Sequence, residues 1–148
     1  MAQLKDTIIS GNLCVTDSIQ CGGGDVWAHR VMYTNDSNTS VTIDNVAVPT
    51  NTQTVKIMFK SSSGVYSMVE VPYLGSGKYA TGLVQVGSLS DGSGSARIIM
   101  KSFILTYGAG SSSGVKFSFS LSSSEQVNGT AVTQTSQNLY PVKLIACT

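Results

Sequence analysis

The chain has 148 residues, with nine basic and eight acidic side chains and a formal net charge of +1. Only 11% of its residues are charged, less than half of the roughly 25% found in ordinary soluble domains. The 41% share of hydrophobic residues excludes a disordered chain, and the scattered basic residues exclude a phosphate-binding stripe, so we expect no nucleic-acid partner. No apolar run approaches the roughly 18 residues of a membrane-spanning helix, so we expect no membrane insertion.

Residues 1–24 differ from the rest of the chain, and we predict that they form a short extended N-terminal arm that ends in a hinge. Gly22, Gly23 and Gly24 form this hinge, because consecutive glycines have the greatest backbone freedom. The arm cannot bury its own apolar side chains, since an isolated hairpin is marginal in water. It therefore needs the body of its own domain, a neighbouring subunit or a docking protein. The predicted assembly residues of the arm are Leu4, Ile8, Ile9, Gly11, Leu13, Val15 and Ile19.

The N-terminus and the cysteines predict synthesis in the cytoplasm without a signal peptide. Lys5 and Asp6 stand where a secretory signal would need its apolar stretch. The odd number of cysteines, Cys14, Cys21 and Cys147, fits reduced thiols rather than a disulfide framework. Six residues separate Cys14 from Cys21, which is too many for the close knuckles of structural zinc sites, so we expect no metal.

From residue 25 to residue 148, apolar residues recur at every second position, the period of a β-strand, and no window shows helical periodicity. Clusters of Gly, Ser and Asn interrupt this pattern about every ten residues, a spacing typical of sandwiches and barrels. We therefore predict an all-β fold: a single antiparallel β-sandwich, jelly-roll-like, over residues 25–148, preceded by the arm. The predicted strands cover residues 26–33, 41–48, 55–60, 65–71, 79–86, 97–107, 115–121 and 140–146.

Two similar segments, Ser61–Gly64 and Ser111–Gly114, each lie between two predicted strands. Each is predicted to be a hairpin turn whose glycine adopts a positive φ angle. Their likeness fits either an ancient duplication or convergence on a favourable turn in a serine-rich chain.

Residues that commonly carry catalysis are sparse. His29 is the single histidine and lies within a predicted strand, and no Gly-x-Ser-x-Gly segment supplies a nucleophile elbow to pair with it. Glu70 alternates with tyrosine and methionine on the presumed outer face of a strand, and the aspartates lie mostly in predicted turns. We predict that the protein is not an enzyme and has no catalytic residue and no cofactor.

Four tyrosines are associated with predicted strand ends or loops, where rings and hydroxyls grip neutral ligands such as sugars: Tyr66, Tyr73, Tyr79 and Tyr107. A tyrosine at a strand end also commonly closes a core and keeps its hydroxyl in water. Both interpretations stay open, and the first makes a glycan of a host surface a candidate partner.

Residues 1–19, MAQLKDTIISGNLCVTDSI, resemble the start of fibre-type virion proteins of tailed bacteriophages, in which an LKDTIISGNLxVTxxI segment commonly precedes a variable β-rich tip. The resemblance implies a structural subunit of a homo-oligomeric, trimeric tail or head fibre, located in the virion. It also implies that the arm contacts other virion proteins and that the C-terminal domain points outward. Family members often carry Arg or Lys in place of Cys14 and repeat the segment several times, whereas this chain has one copy, which argues against a long shaft.

Three functional hypotheses follow. The first is a non-enzymatic phage fibre subunit, in which contacts between copies bury the arm and replace its missing core. The low charge content fits a surface covered by identical neighbours, because interface cores are depleted in charge. The alternatives are a glycan-binding module for the host surface and a capsid decoration protein that attaches its arm to the shell.

Overall fold

The computed structural model describes residues 20–21, 24–25, 29–90, 96–127, 130–133 and 138–148. Within these ranges the regular structure is entirely β, as the sequence predicts. The strands are β1 (Gln20–Cys21), β2 (Gly24–Asp25), β3 (His29–Thr34), β4 (Thr42–Val46), β5 (Thr54–Ser61), β6 (Tyr66–Pro72), β7 (Tyr79–Ser90), β8 (Ala96–Ala109), β9 (Val115–Val127), β10 (Thr130–Thr133) and β11 (Leu139–Cys147).

The main strands form two antiparallel sheets packed together, which confirms the predicted β-sandwich. The small sheet has the order β3-β11-β5-β6, and the large sheet has the order β10-β9-β8-β7 with β4 also paired to β9. The early strands β3 and β4 thus pair with the late strands β11 and β9. Strands from the beginning and the end of the domain are therefore neighbours in both sheets, as in a jelly roll. The short strands β1 and β2 pair with each other.

Strict alternation explains why these segments are strands and which way they face. In β5, Val55, Ile57 and Phe59 are fully buried between the sheets. Lys56 and Lys60 lie on the opposite side of the same strand and are half-buried. Each buried side chain of this size contributes about 1.5–3 kcal/mol to folding, so a one-residue slip of register would forfeit the burial of the whole set.

Aromatic rings from both sheets meet at the centre of the sandwich. Phe59 of the small sheet packs on Phe103 and Phe119 of the large sheet, with ring centroids 5.2 Å and 5.3 Å away. Towards one end of the sandwich, the Tyr107 ring makes edge contacts with Phe117 at 5.4 Å and with Tyr73 at 5.2 Å. Such tilted and edge arrangements are the favoured geometries of ring pairs. This aromatic row joins the two sheets.

Each of the eight predicted strands overlaps an observed one, β3–β9 or β11, but several bounds differ, and β4 is shorter than predicted. The prediction missed β1, β2 and β10, whose two or four residues are too few to show a period. The strands β7, β8 and β9 extend beyond their predicted ends, to Ser90, Ala96 and Val127. Their added residues are rich in serine and stay paired with the neighbouring strands, so the hydrogen-bonded ladder between β7, β8 and β9 continues through them.

The two serine-glycine turns differ, contrary to expectation. Gly64 has a φ of 83°, as predicted for the turn between β5 and β6. The same prediction is wrong for Gly114, which is not among the residues with positive φ. Gly114 is needed for a different reason: a Cβ atom there would lie 2.6 Å from the Cα of Asn45. Here glycine allows close packing of two backbones.

Candidate functional site

The outward side of strands β7, β8 and β9 is an open surface that carries large apolar side chains. The inward residues of these strands are buried, including Val84, Leu105 and Phe119. Leu83 and Ile104 point the other way and remain 49% and 47% exposed. We call this surface the uncharged face, and it consists of Tyr79, Thr81, Leu83, Gln85, Ile98, Met100, Ser102, Ile104, Thr106, Ser118 and Ser120.

Large and small side chains alternate across this face. Ile104 lies between Thr81 and Ser120 in one cross-strand row, and Leu83 lies opposite Ser102 in the next row. Leu83 and Ile104 therefore project from the sheet at diagonally opposite positions, and shorter hydroxyl side chains lie between them. An open concavity of about 660 Å³ lies between them and is lined by Thr81, Gly82, Leu83, Ser102, Phe103, Ile104, Ser120, Leu121 and Ser122.

Gly82 and Phe103 form the floor of the concavity. They are directly paired on β7 and β8 and both point towards the core. A Cβ atom on Gly82 would lie 2.6 Å from Cζ of Phe103, so the ring packs directly against the glycine backbone. The ring is also held from the core side by Phe59. The shape of the face therefore depends on a tightly packed core beneath it.

The uncharged face carries almost no charge. Among the side chains that the structure describes in β7, β8 and β9, Lys101 and Lys116 are charged. Lys101 is buried on the core side. Lys116 lies at one end of the face, opposite Gly108. The centre of the face, as far as its side chains are described, offers only apolar and hydroxyl groups.

The outer face of the small sheet is charged by comparison. We call it the charged face, and it consists of Lys56, Met58, Lys60, Tyr66, Met68, Glu70, Lys143 and Ile145. Lys56 lies 3.9 Å from the Glu70 carboxylate, and its Nζ lies 2.8 Å from Nε2 of His29. Glu70 also accepts a hydrogen bond from the hydroxyl of Thr54. His29 is therefore paired within the sheet.

A second cluster at the edge of the charged face joins Asp36 to the sheet. The Tyr66 hydroxyl donates to both carboxylate oxygens of Asp36, at 2.8 Å and 2.9 Å. Lys60 donates to the same carboxylate at 3.2 Å, and its ammonium lies 5.3 Å from the centre of the Tyr66 ring. The Tyr66 hydrogen bond, helped by Lys60, holds the pKa of Asp36 below its usual value. This cluster fastens the segment after β3 onto β5 and β6.

The four predicted ligand-facing tyrosines do not form one site. Tyr66 and Tyr79 are exposed, but Tyr66 belongs to the Asp36 cluster on the small sheet and Tyr79 to the uncharged face on the large sheet. The prediction is wrong for Tyr107, whose side chain is fully buried and whose hydroxyl donates to the carbonyl of Pro72 at 2.7 Å. Burial raises the pKa of Tyr107 far above its usual value and also raises that of Tyr73. Tyr73 and Tyr107 close the core.

The predicted arm lies mostly outside the described part of the chain. The assembly residues Leu4, Ile8, Ile9, Gly11, Leu13, Val15 and Ile19, and the hinge residues Gly22 and Gly23, fall outside it. Gly24 is described and lies in β2, where it pairs with Cys21 of β1. Both the assembly role of the arm and its hinge stay predictions.

Sequence reasoning overlooked a clamp at the end of β4. Asn45 has a φ of 55°, and its side-chain amide donates to Ser111 Oγ at 2.7 Å and accepts from the Ser112 N–H at 2.7 Å. The neighbouring Asp44 accepts from the Ser111 N–H at 3.2 Å. Hydrogen bonding to Ser111 lowers the pKa of Asp44. The clamp fixes the β8–β9 turn against β4, and an Asp-Asn pair at a strand end was its only sequence signal.

Other kinds of site were sought in the same residues. No group of three or more His, Cys, Asp or Glu residues in the described ranges could hold a metal ion. Over those ranges, no helix is long and apolar enough to cross a membrane. Comparison of the chain with known protein families, with curated proteins and with solved structures finds no match.

Proposed function

We propose that this chain is a non-enzymatic structural subunit that works as part of a homo-oligomer. The observation that carries the proposal is the number of large apolar side chains exposed on the outer faces of both sheets. They include Val31, Met68, Leu83, Ile98 and Ile104, each about half exposed. Apolar surface of this kind, when it is contiguous, marks sites of association.

The free energy gained on association is modest for each buried side chain and increases with the number of copies in the assembly. Full burial of a Leu or Ile side chain contributes about 1.5–3 kcal/mol, so covering the exposed halves of Leu83 and Ile104 contributes about 1 kcal/mol each. In a closed oligomer every copy contributes the same residues to its contacts. These two side chains contribute part of the stabilisation, and other contacts between the copies have to supply the rest, because association itself costs about 4–15 kcal/mol.

The assembly that we propose is the virion of a tailed bacteriophage. The support is the resemblance of residues 1–19 to the start of phage fibre proteins, which implies an N-terminal arm at or near the virion. We propose a tail or head fibre subunit, trimeric, with the arm contacting other virion proteins. A capsid decoration protein would use the same arm on the shell.

Light scattering of the purified full-length chain tests the oligomer. A mass that is a multiple of 15.5 kDa, and falls when residues 1–24 are deleted, is the expected result. A monomer at high protein concentration, unchanged by the deletion, would refute the proposal. Immunogold labelling of phage particles with an antibody to the domain tests the location, since label on a fibre, on the shell or on neither gives three separate answers.

The Asp36 cluster favours a second candidate function, recognition of a host-surface glycan. An exposed Tyr66 ring beside a carboxylate and an ammonium offers a stacking surface and hydrogen-bonding groups for sugar hydroxyls. A glycan array compares the wild-type chain with Tyr66→Ala, and Tyr79→Ala serves as the control because Tyr79 lies on the other sheet. Binding that Tyr66→Ala abolishes and Tyr79→Ala preserves supports recognition there, and the absence of signal from the wild type contradicts it.

A further inference from the structure

We infer that the uncharged face is the surface that meets a second copy of this chain, and that it lies at the rotation axis of the homo-oligomer. The inference rests on the proposed homo-oligomer and adds which surface forms its contact. Its occupant is the same face of an identical subunit. Two observations support the inference. The first is the difference in charge between the two outer faces, and the second is the arrangement of projecting and short side chains on the uncharged face.

Because the oligomer is symmetric, the charge of a face decides whether identical copies can meet there. Around a rotation axis each residue near the axis meets its own counterpart, so a lysine there would face another lysine. Like charges held opposite each other in an interface are strongly unfavourable. The charged face carries Lys56, Lys60 and Lys143 on two adjacent strands, and Lys56 and Lys60 are ion-paired with Glu70 and Asp36. Self-contact there would take these ion pairs out of water and bring Lys143 near its own counterpart, so the charged face is the less suited of the two. The centre of the uncharged face has no charged group among its described side chains.

The shape of the uncharged face also fits contact between identical copies. Leu83 and Ile104 project beside shorter side chains, Thr81, Ser102 and Ser120, which leave the open concavity next to them. A projecting side chain of one copy can enter the hollow of the next copy, and the rotation axis repeats this contact around the oligomer. The serine and threonine hydroxyls around the hollow can exchange hydrogen bonds across the contact without leaving a charge buried.

Lysine substitutions test this placement, because each puts a positive charge where the copies would meet. Ile104→Lys and Leu83→Lys change the uncharged face, and Met68→Lys is the matched control, since Met68 is 51% exposed at a similar strand position on the charged face. Light scattering of full-length proteins at a concentration where the wild type is assembled should give monomers for the first two and the wild-type mass for the control. Circular dichroism checks that all three are folded, as their exposed positions allow.

A mixing experiment distinguishes self-contact from other effects. Ile104→Glu should dissociate the oligomer like Ile104→Lys, and co-refolding the two variants should restore assembly, fully for an even number of copies and partly for the proposed trimer, in which two opposite-charge contacts outweigh one like-charge contact. A loss of stability alone would not be rescued by mixing. A mixture that stays monomeric overturns the axial placement of position 104.

The remaining outcomes separate this inference from the proposed function. If the wild type is an oligomer, but Met68→Lys dissociates it and Ile104→Lys does not, the interface lies on the charged face and the inference is wrong while the homo-oligomer stands. If the wild type is monomeric at high concentration, the proposed function fails and the inference fails with it.

Discussion

The two serine-glycine turns allow a comparison in which nearly the same local sequence places its glycine for two different physical reasons. A Cβ atom added at Gly64 would meet no described atom within 4 Å, but the φ of 83° at this position is one that side chains disfavour. Gly114 has no positive φ, but a Cβ atom there would lie 2.6 Å from Cα and 2.7 Å from the carbonyl oxygen of Asn45. Alanine at both positions should therefore destabilise the fold by different mechanisms and by different amounts.

The magnitudes follow from these geometries. A residue with a Cβ atom in the left-handed region costs about 1–2 kcal/mol, which is the effect expected for Gly64→Ala. Overpacking costs about 1–3 kcal/mol, and Gly114→Ala belongs at the upper end, because the obstructing atoms are backbone held by the Asn45 clamp. At about 2–4 °C per kcal/mol for a chain of this length, Gly114→Ala should lower the melting temperature by about 6–12 °C.

Thermal unfolding of the full-length variants, followed by circular dichroism at one protein concentration, measures both effects. Asparagine provides the control, because it tolerates the left-handed region better than other residues with a side chain. Gly64→Asn should retain more stability than Gly64→Ala, whereas Gly114→Asn should be at least as damaging as Gly114→Ala. Equal losses for the two alanine variants, or no rescue by asparagine at position 64, would refute the assignment of separate causes.

Three further predictions concern the core and the Asp36 cluster. Gly82→Ala should cost about 1–3 kcal/mol in urea unfolding, because its Cβ would force the Phe103 ring to move, and an unchanged midpoint would contradict this contact. Tyr107→Phe should cost about 0.5–1.5 kcal/mol in the same assay by removing the hydrogen bond from its hydroxyl to the Pro72 carbonyl, and a neutral result would contradict a stabilising role of this bond. Asp36→Asn should flatten the acid limb of a stability-versus-pH curve. Since the fold lowers the pKa of Asp36, its contribution is present above the ordinary value of 3.8 and is lost as the pH falls below it, so a limb as steep as the wild type's would refute this.

The distribution of charge gives the low charge content a structural meaning. Composition alone fits a surface covered by neighbours, but it does not say which surface. In the fold, Lys56, Lys60, Glu70 and Lys143 all lie on the outer face of the small sheet. The described outer face of β7–β9 keeps Lys116 only at its end. Among the described side chains, charge is therefore sparsest on the outer face of β7–β9, which is the face proposed for contact between copies, and the exposed Asp44 lies on β4, the strand paired with β9.

The sequence contains one indication of the uncharged face that the strand predictions do not take into account. In Phe103-Ile104-Leu105 and in Ile98-Ile99-Met100, apolar residues occupy both parities of the strand. A strand with one wet face needs only one apolar parity. The apolar residues at the outward positions therefore indicate that the outer face contacts another surface, although they do not identify that surface.

Tyr107 shows why the ligand-facing residues could not be assigned from the sequence. Its parity with Phe103 and Leu105 placed it on the buried side of β8, while its place at the predicted strand end suggested exposure. The strand continues to Ala109, and Tyr73 and Phe117 cover the ring. Phe117 is the cross-strand partner of Tyr107 in the neighbouring strand β9, whereas Tyr73 follows β6 of the other sheet, so burial at this position depends in part on how the sheets are stacked.

Local alternation of polar and apolar residues by itself determined that this chain is all-β and which side chains of β5 and β9 share a face, because the strand period is a property of neighbouring residues. The glycine at position 64 permits a left-handed φ angle but does not dictate it, because the same Ser-Ser-Ser-Gly segment has no positive φ at Gly114. Only the tertiary structure decided the pairing of β3 with β11 and of β4 with β9, the requirement for Gly114 beside Asn45, and the separation of charged and uncharged outer faces. These features arise from contacts between segments far apart in the sequence, where packing and chain connectivity outweigh local preference.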